Sequence, residues 1–182
     1  LILSYISGGD YLIAIEDIDK FNKTLDEGLY DLNGEEVSQD TWLKCKVSLN
    51  LYKALIYAHA NQAERARMSL NEYKDYVQRT IQFNQIKTNE DLRKYYSEND
   101  LNSVRVRWKT IDPRSVLFNE VWVSVLIGDD KKTKDLINKL PENSMWIGIY
   151  TVIKGDFTKG LEILSNNNSF YSQYFQAQAL IG

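Results

Sequence analysis

The chain has 182 residues, of which 43% are hydrophobic and 26% are charged, and its formal net charge is -3. This composition predicts a folded domain with a sizeable core, and the near-neutral charge argues against direct binding to nucleic acid or to an anionic membrane surface. A single cysteine, Cys45, and a single histidine, His59, argue against an internal disulfide, a thiolate metal cluster and a histidine-based zinc site. We therefore expect no metal and no cofactor.

The composition also bears on where the protein works. The chain contains no run of 18 apolar residues, so no membrane-spanning helix is predicted. One unpaired cysteine suits a reducing compartment, and we expect a cytoplasmic protein. Leu1 lies in a stretch with the pattern of a helix, and Gly182 lies where a hairpin would turn. Both ends predict a fragment of a longer chain.

Residues 1–83 have the pattern of loosely spaced helix pairs. Apolar residues at helical spacing from Leu51 to Ala58 are followed by a second apolar stripe from Ala63 to Tyr73. Asn61, between the two stripes, takes the role of a turn glycine. Upstream, Ser38 is predicted to cap the helix that begins near Trp42.

Residues 84–112 are predicted to connect the two halves of the chain. The polar residues 84–90 favour a loop, and Thr88 is predicted to cap a following helix that begins with acidic residues. Connecting helices then continue to residue 112.

Residues 113–182 contain a repeated unit. Gly128, Gly155 and Gly182 each follow an apolar, helix-like run and are spaced 27 residues apart. A second apolar run follows both Gly128 and Gly155, and Pro141 marks a helix stop. Because glycine lets a helix end in a left-handed residue, the pattern predicts a series of helix, turn, helix hairpins.

Several of these residues also carry a family resemblance. A Gly-Asp-Tyr-x-x-Ala-Ile-Glu run, residues 9–16, resembles the turn and second helix of a tetratricopeptide repeat. Other matches to the small, aromatic and turn positions of the family are Tyr5, Ala54, Tyr57, Ala66, Gly148, Gly155, Asp156 and Phe157. The resemblance implies an all-α fold, an irregular tetratricopeptide-like right-handed α-solenoid of antiparallel helix pairs, with 1–182 as one helical-repeat domain.

The chain departs from the family in two ways. Its C-terminal units are 27 residues long, whereas the family repeat has about 34. Thr133 and Gly160 stand where the family usually has alanine.

A second resemblance concerns the C-terminal half of the chain. A tryptophan-containing helix from Leu101 to Lys109, followed by short hairpins, looks like the sensor domains of intracellular peptide-pheromone receptors, especially the arbitrium type. That resemblance implies a peptide-responsive regulator, and no functional residue is carried over from it.

Catalytic chemistry finds little support in the sequence. His59 and Cys45 both lie on predicted helices. We interpret His59 as a structural or surface residue and Cys45 as a small residue packed in the core. Gly8-Gly9 lacks the Lys-Ser/Thr of a phosphate loop. Acidic groups that could pair for acid catalysis lie in polar stretches and are interpreted as solvated faces or turns: Glu16, Asp17, Asp19, Glu35, Glu36, Asp129 and Asp130.

A basic stretch with one aromatic ring is a first binding candidate. Arg105, Arg107 and Trp108 could grip a phosphate, a nucleobase or a peptide carboxylate. The same residues also fit an ordinary amphipathic helix, with Trp108 on the apolar face and the arginines beside it.

An apolar groove is the second binding candidate. The family's carboxylate clamp needs Lys and Asn, but the matching positions here are Leu51, Leu55, Phe118 and Trp122. A hydrophobic groove is more consistent with these residues, although aromatic side chains at helical spacing also suit a core. Candidate groove residues are Tyr52, Trp122, Trp146, Tyr150, Tyr171 and Tyr174.

These observations favour a protein- or peptide-binding helical-repeat module that acts as a scaffold or complex subunit. The alternatives are the sensor domain of an intracellular peptide-pheromone-responsive regulator and, third, an enzyme of unknown type. The expected partner is a protein or a short peptide, with a second copy of the chain left open, and with neither membrane nor nucleic acid as a direct partner.

Overall fold

The computed structural model describes residues 9–28, 38–93 and 113–181. Within these ranges every regular element is an α-helix and no strand is present, which confirms the predicted all-α class. The described helices are α1 (Tyr11–Asp26), α2 (Gln39–His59), α3 (Ala63–Arg93), α4 (Pro113–Leu126), α5 (Asp130–Ile137), α6 (Met145–Ile153), α7 (Phe157–Leu164) and α8 (Phe170–Ile181). The predicted segments 1–8, 29–37 and 94–112 lie outside the described residues, as does Gly182.

The chain divides into two compact units, with the boundary after Val116. The first unit contains α1, α2 and α3, and the second contains most of α4 followed by α5 to α8. The boundary falls close to residue 113, where the sequence predicts the start of the 27-residue hairpins.

In the first unit, α2 and α3 pack against each other across a tight turn at Asn61. Asn61 has a φ of 57°, so it occupies the left-handed region that glycine favours, and the prediction of its role is confirmed. The N–H of Gln62 donates to the carbonyl oxygen of Tyr57 at 2.8 Å and closes the end of α2. At the other end, Ser38 accepts a hydrogen bond from the N–H of Thr41, which confirms the predicted cap.

Helix α1 packs on α2 through an apolar core and a set of polar contacts. The buried residues of this core are Ala14, Ile18, Leu25, Leu49 and Ile56. Beside this core, Lys53 Nζ lies 2.9 Å from Asp19 Oδ1, and Lys46 Nζ lies 2.6 Å from Asp26 Oδ1. The rings of Tyr11 and His59 stack with 6.3 Å between their centroids. Two ion pairs and one ring stack therefore accompany the apolar core between α1 and α2.

Residues 84–90 are helical, so the predicted loop and the predicted cap at Thr88 are wrong. Helix α3 continues without a break to Arg93. The prediction relied on polar composition, but the segment contains neither proline nor glycine. Gln, Lys and Glu are good helix formers, so nothing in this stretch forces the helix to end.

In the second unit, two turns repeat the same backbone geometry. Gly128 and Gly155 have φ values of 69° and 85°, as the 27-residue pattern predicts. The two turns have the same hydrogen-bond pattern. In one, the N–H of Asp129 donates to the carbonyl oxygen of Ser124 at 3.0 Å, and in the other, the N–H of Asp156 donates to that of Thr151 at 3.1 Å. The two aspartates then cap the next helix, because each side chain accepts from the N–H three residues on.

Two glycines let α6 and α7 approach closely. A Cβ atom on Gly160 would lie 2.4 Å from Val152 Cγ2, and one on Gly148 would lie 2.7 Å from Leu164 Cγ. Both glycines therefore allow the backbones of α6 and α7 to come close together. Helix α8 packs against both α6 and α7.

Candidate interaction surface

Three helices of the second unit bring aromatic rings together. Phe118 and Trp122 lie one turn apart on α4, Trp146 lies on α6, and Tyr174 and Phe175 lie on α8. Trp122 is central, with its ring centroid 5.3 Å from that of Trp146 and 6.1 Å from that of Phe175. We call these five residues the aromatic cluster.

The outer rings extend the cluster on both sides. Phe118 lies 6.2 Å from Trp146, and Tyr174 lies edge-on to Phe175 at 5.2 Å. These separations are typical of favourable aromatic pairs.

The aromatic cluster lies on a small apolar core and remains partly open to water. Trp122, Trp146 and Phe175 are half-buried and pack against a core formed by Ile149, Val152, Leu164 and Ala179. Tyr174 is 50% exposed. The apolar core therefore holds the rings in place, while part of the ring surface stays accessible to a partner. This arrangement suits rigid binding anchors.

Two ion pairs connect elements of the second unit. Lys132 Nζ lies 3.2 Å from Glu120 Oε1. Lys154 donates a hydrogen bond to Asp130, and its Nζ lies 5.6 Å from the centre of the Tyr150 ring. The hydrogen bond to Asp130 raises the pKa of Lys154, so this side chain stays charged over the physiological range.

Tyr150 lies one turn after Trp146 on α6 and is half-buried. Its hydroxyl oxygen and the Oγ of Ser124 are buried, and neither has a hydrogen-bond partner in the part of the chain described here. A buried hydroxyl without a partner costs about 1–3 kcal/mol. The Tyr150 hydroxyl is thus a polar group that the described fold leaves unused.

The structure separates the predicted site residues into three groups. Trp122, Trp146 and Tyr174 belong to the aromatic cluster, and Tyr150 lies one turn after Trp146 on α6. Tyr52 lies elsewhere, packed against the core of the first unit. The side chain of Tyr171 lies outside the description, and so do Arg105, Arg107 and Trp108.

Two members of the aromatic cluster, Phe118 and Phe175, were not among the candidate groove residues, although Phe118 was one of the apolar residues that favoured a groove. Phe118 is one helical turn from Trp122, so the spacing of four residues contained a usable signal. Phe175 had no such signal, because its contact with Trp122 depends on the packing of α8.

His59 and Cys45, which were considered for catalysis, both contact other side chains of the first unit. His59 lies exposed at the end of α2 against Tyr11, and Cys45 is half-buried against the first core. The described residues contain no group of three or more His, Cys, Asp or Glu side chains that could hold a metal ion. Nor does any helix in the described ranges have the length and apolar character needed to cross a membrane.

The described residues thus form an all-helical structure with a partly exposed aromatic cluster in the second unit. Comparisons of the chain with protein-family models, with curated proteins and with solved structures found no match.

Proposed function

We propose that this chain is a protein- or peptide-binding helical-repeat module that acts as a scaffold or complex subunit. In this proposal, consecutive hairpins stack as antiparallel pairs into an irregular, right-handed tetratricopeptide-like solenoid. The shared turn geometry at Asn61, Gly128 and Gly155 supports such a repeat, as does the close approach of α6 and α7 at Gly148 and Gly160.

The observation that carries the binding proposal is the aromatic cluster. Tryptophan and tyrosine provide large contact areas at a low entropic cost, and they dominate the binding energy of many interfaces. Here the rings of Trp122, Trp146 and Phe175 are already packed in place, so little ordering is needed when a partner binds.

Site-specific photo-crosslinking tests the proposal directly. A benzophenone amino acid would replace Tyr174, at the edge of the aromatic cluster, and in a control protein it would replace Met68. Met68 is exposed and lies on α3 in the first unit. We expect a discrete adduct from position 174 in extracts of the source cells, and none of that size from position 68.

Competition supplies the second control. An excess of unlabelled wild-type chain should abolish the adduct, whereas the same excess of Trp122→Ala should compete poorly. Diffuse labelling at position 174, or identical adducts from both positions, would contradict the proposal.

A further inference from the structure

Charged residues are missing from the two helices that form much of the aromatic cluster. Residues 143–153 and 163–182 contain no Asp, Glu, Lys or Arg, although 26% of the chain is charged. These stretches include all of α6 and all of α8. A helix with a face in water normally has charged side chains on that face, and α8 has such a face, so its depletion needs an explanation.

The exposed face of α8 shows what replaces the charges. Gln173, Tyr174, Ala177, Gln178 and Ile181 are all exposed, and their spacing places them on one side of the helix. Gln178 Nε2 donates to the Tyr174 hydroxyl at 3.2 Å, so the polar groups on this face are neutral amides and a phenol. Such groups can hydrogen-bond to a peptide without requiring a charge on it.

Two lysines of the second unit already have anionic partners within that unit. Lys154 is paired with Asp130, and Lys132 is paired with Glu120. A charged group brought onto the neutral face would lose its hydration and gain no opposite charge in return. Interface centres are likewise depleted in charge and enriched in aromatic residues.

We propose that α6, α8 and the aromatic cluster bind a partner segment that is itself uncharged, with aliphatic or aromatic side chains that pack on the rings. This inference rests on the proposed function and adds the chemical class of the partner. Amide groups of Gln173 and Gln178 would bond to the partner's backbone, and binding would depend little on salt.

A displayed library of random short peptides tests the inference. The wild-type chain is the target, and Ala177→Glu is the matched control target. Ala177 is exposed, so the substitution places a charge on the face at little cost to folding, which circular dichroism would verify. In the pool selected on the wild type, we expect Asp, Glu, Lys and Arg to be depleted at least about threefold relative to the input.

Synthetic versions of the enriched peptides give the salt dependence. Their Kd should change less than about twofold between roughly 50 and 500 mM NaCl, since screening affects only charged contacts. Ala177→Glu should weaken the same peptides by about tenfold or more.

The outcomes separate the two proposals. Enriched peptides that are highly charged and lose affinity in salt would overturn this inference while leaving the proposed function intact. No enrichment on the wild type beyond that on Ala177→Glu would reject the proposed function at this surface, and the inference with it. A stable dimer in sedimentation analysis that Ala177→Glu disrupts would show that a second copy occupies the surface, which also overturns the inference.

Discussion

Lys46 is buried and its positive charge is neutralised by Asp26 on the neighbouring helix. The lysine side chain is only 4% exposed, whereas that of Asp26 is 50% exposed, and 2.6 Å separates Nζ from Oδ1. The ammonium also donates to Asn22, and it lies 5.3 Å from the centre of the Trp42 ring. One helix thus supplies a buried cation, and the other supplies the groups that make its burial tolerable.

Removing the aspartate and removing the lysine should therefore have unequal effects. We expect Asp26→Asn to lower the free energy of unfolding by about 2 kcal/mol, because it leaves a buried ammonium without an anion. Lys46→Met keeps the packing of the side-chain stem and removes the charge, so its cost should be below about 1 kcal/mol. Urea unfolding followed by circular dichroism measures both. Asp19→Asn, at the more exposed pair with Lys53, is the control and should cost less than about 1 kcal/mol. Equal costs for Asp26→Asn and Lys46→Met would contradict this account.

Gly160→Ala should destabilise the second unit even though alanine is the better helix former. The new Cβ would lie 2.4 Å from Val152 Cγ2 and 3.1 Å from the backbone nitrogen of Val152. The propensity gain of about 1 kcal/mol is smaller than the overpacking cost, and we expect a net loss of about 1–2 kcal/mol. Thermal unfolding provides the measurement. Adding Val152→Ala removes the nearer clashing atom, so Gly160→Ala should cost less in that background than in the wild type.

The turn at Asn61 should favour glycine over alanine. Its φ of 57° is accessible to asparagine and glycine but strained for alanine. We expect Asn61→Ala to cost about 1 kcal/mol and Asn61→Gly to be neutral within about 0.5 kcal/mol. Chemical denaturation of the two variants side by side tests the difference. An alanine variant as stable as the glycine variant would show that the left-handed conformation does not control this turn.

Acid should weaken the first unit slightly through His59. Partial burial lowers the pKa of His59 below its ordinary value of 6.5, so the folded state binds a proton less readily than the unfolded state. The contribution of neutral His59 to folding stability is therefore fully present above pH 6.5, and it is lost as the pH falls through the lower pKa of the folded state. The effect should be small because the His59 side chain is only partly buried. When the pH is lowered from neutral to acidic, the Tm of the wild type should fall by more than the Tm of His59→Gln. A shift in the wild type's favour would show that the folded state prefers the imidazolium.

Two aromatic substitutions should separate folding from binding. Trp122→Ala removes the central ring of the aromatic cluster, and we expect a loss of about 2–3 kcal/mol because Trp122 is partly buried. Tyr174→Ala, at a half-exposed site, should cost less than about 1 kcal/mol. Both should weaken binding to the partner found by crosslinking. The interface would have to lie elsewhere if Tyr174→Ala bound as tightly as the wild type.

Much of the local structure could be predicted from the sequence. The cap at Ser38 and the turns at Gly128 and Gly155 depend on residues only a few positions apart, so a short pattern contains the relevant interactions. The end of α3 could not be predicted in this way. Polar residues are compatible with both helix and loop, and no breaking residue marks the choice between residues 84 and 93.

The candidate site was predicted only in part. Trp122, Trp146 and Tyr174 were selected for their residue type, but the sequence could not show whether they lay in the core or at the surface. The structure places Trp122 and Trp146 between these extremes, and it adds Phe175 from a helix distant in the chain.

The sequence by itself determined the helical class, the turns at Asn61, Gly128 and Gly155, and the absence of charge from α6 and α8, because these depend on local conformation and composition. Tertiary structure alone decided that Lys46 is buried against Asp26 and that Trp122 meets both Trp146 and Phe175. The physical reason is that burial and contact between distant residues depend on how helices pack. Packing is set by the joint fit of many side chains, and no single segment contains that information.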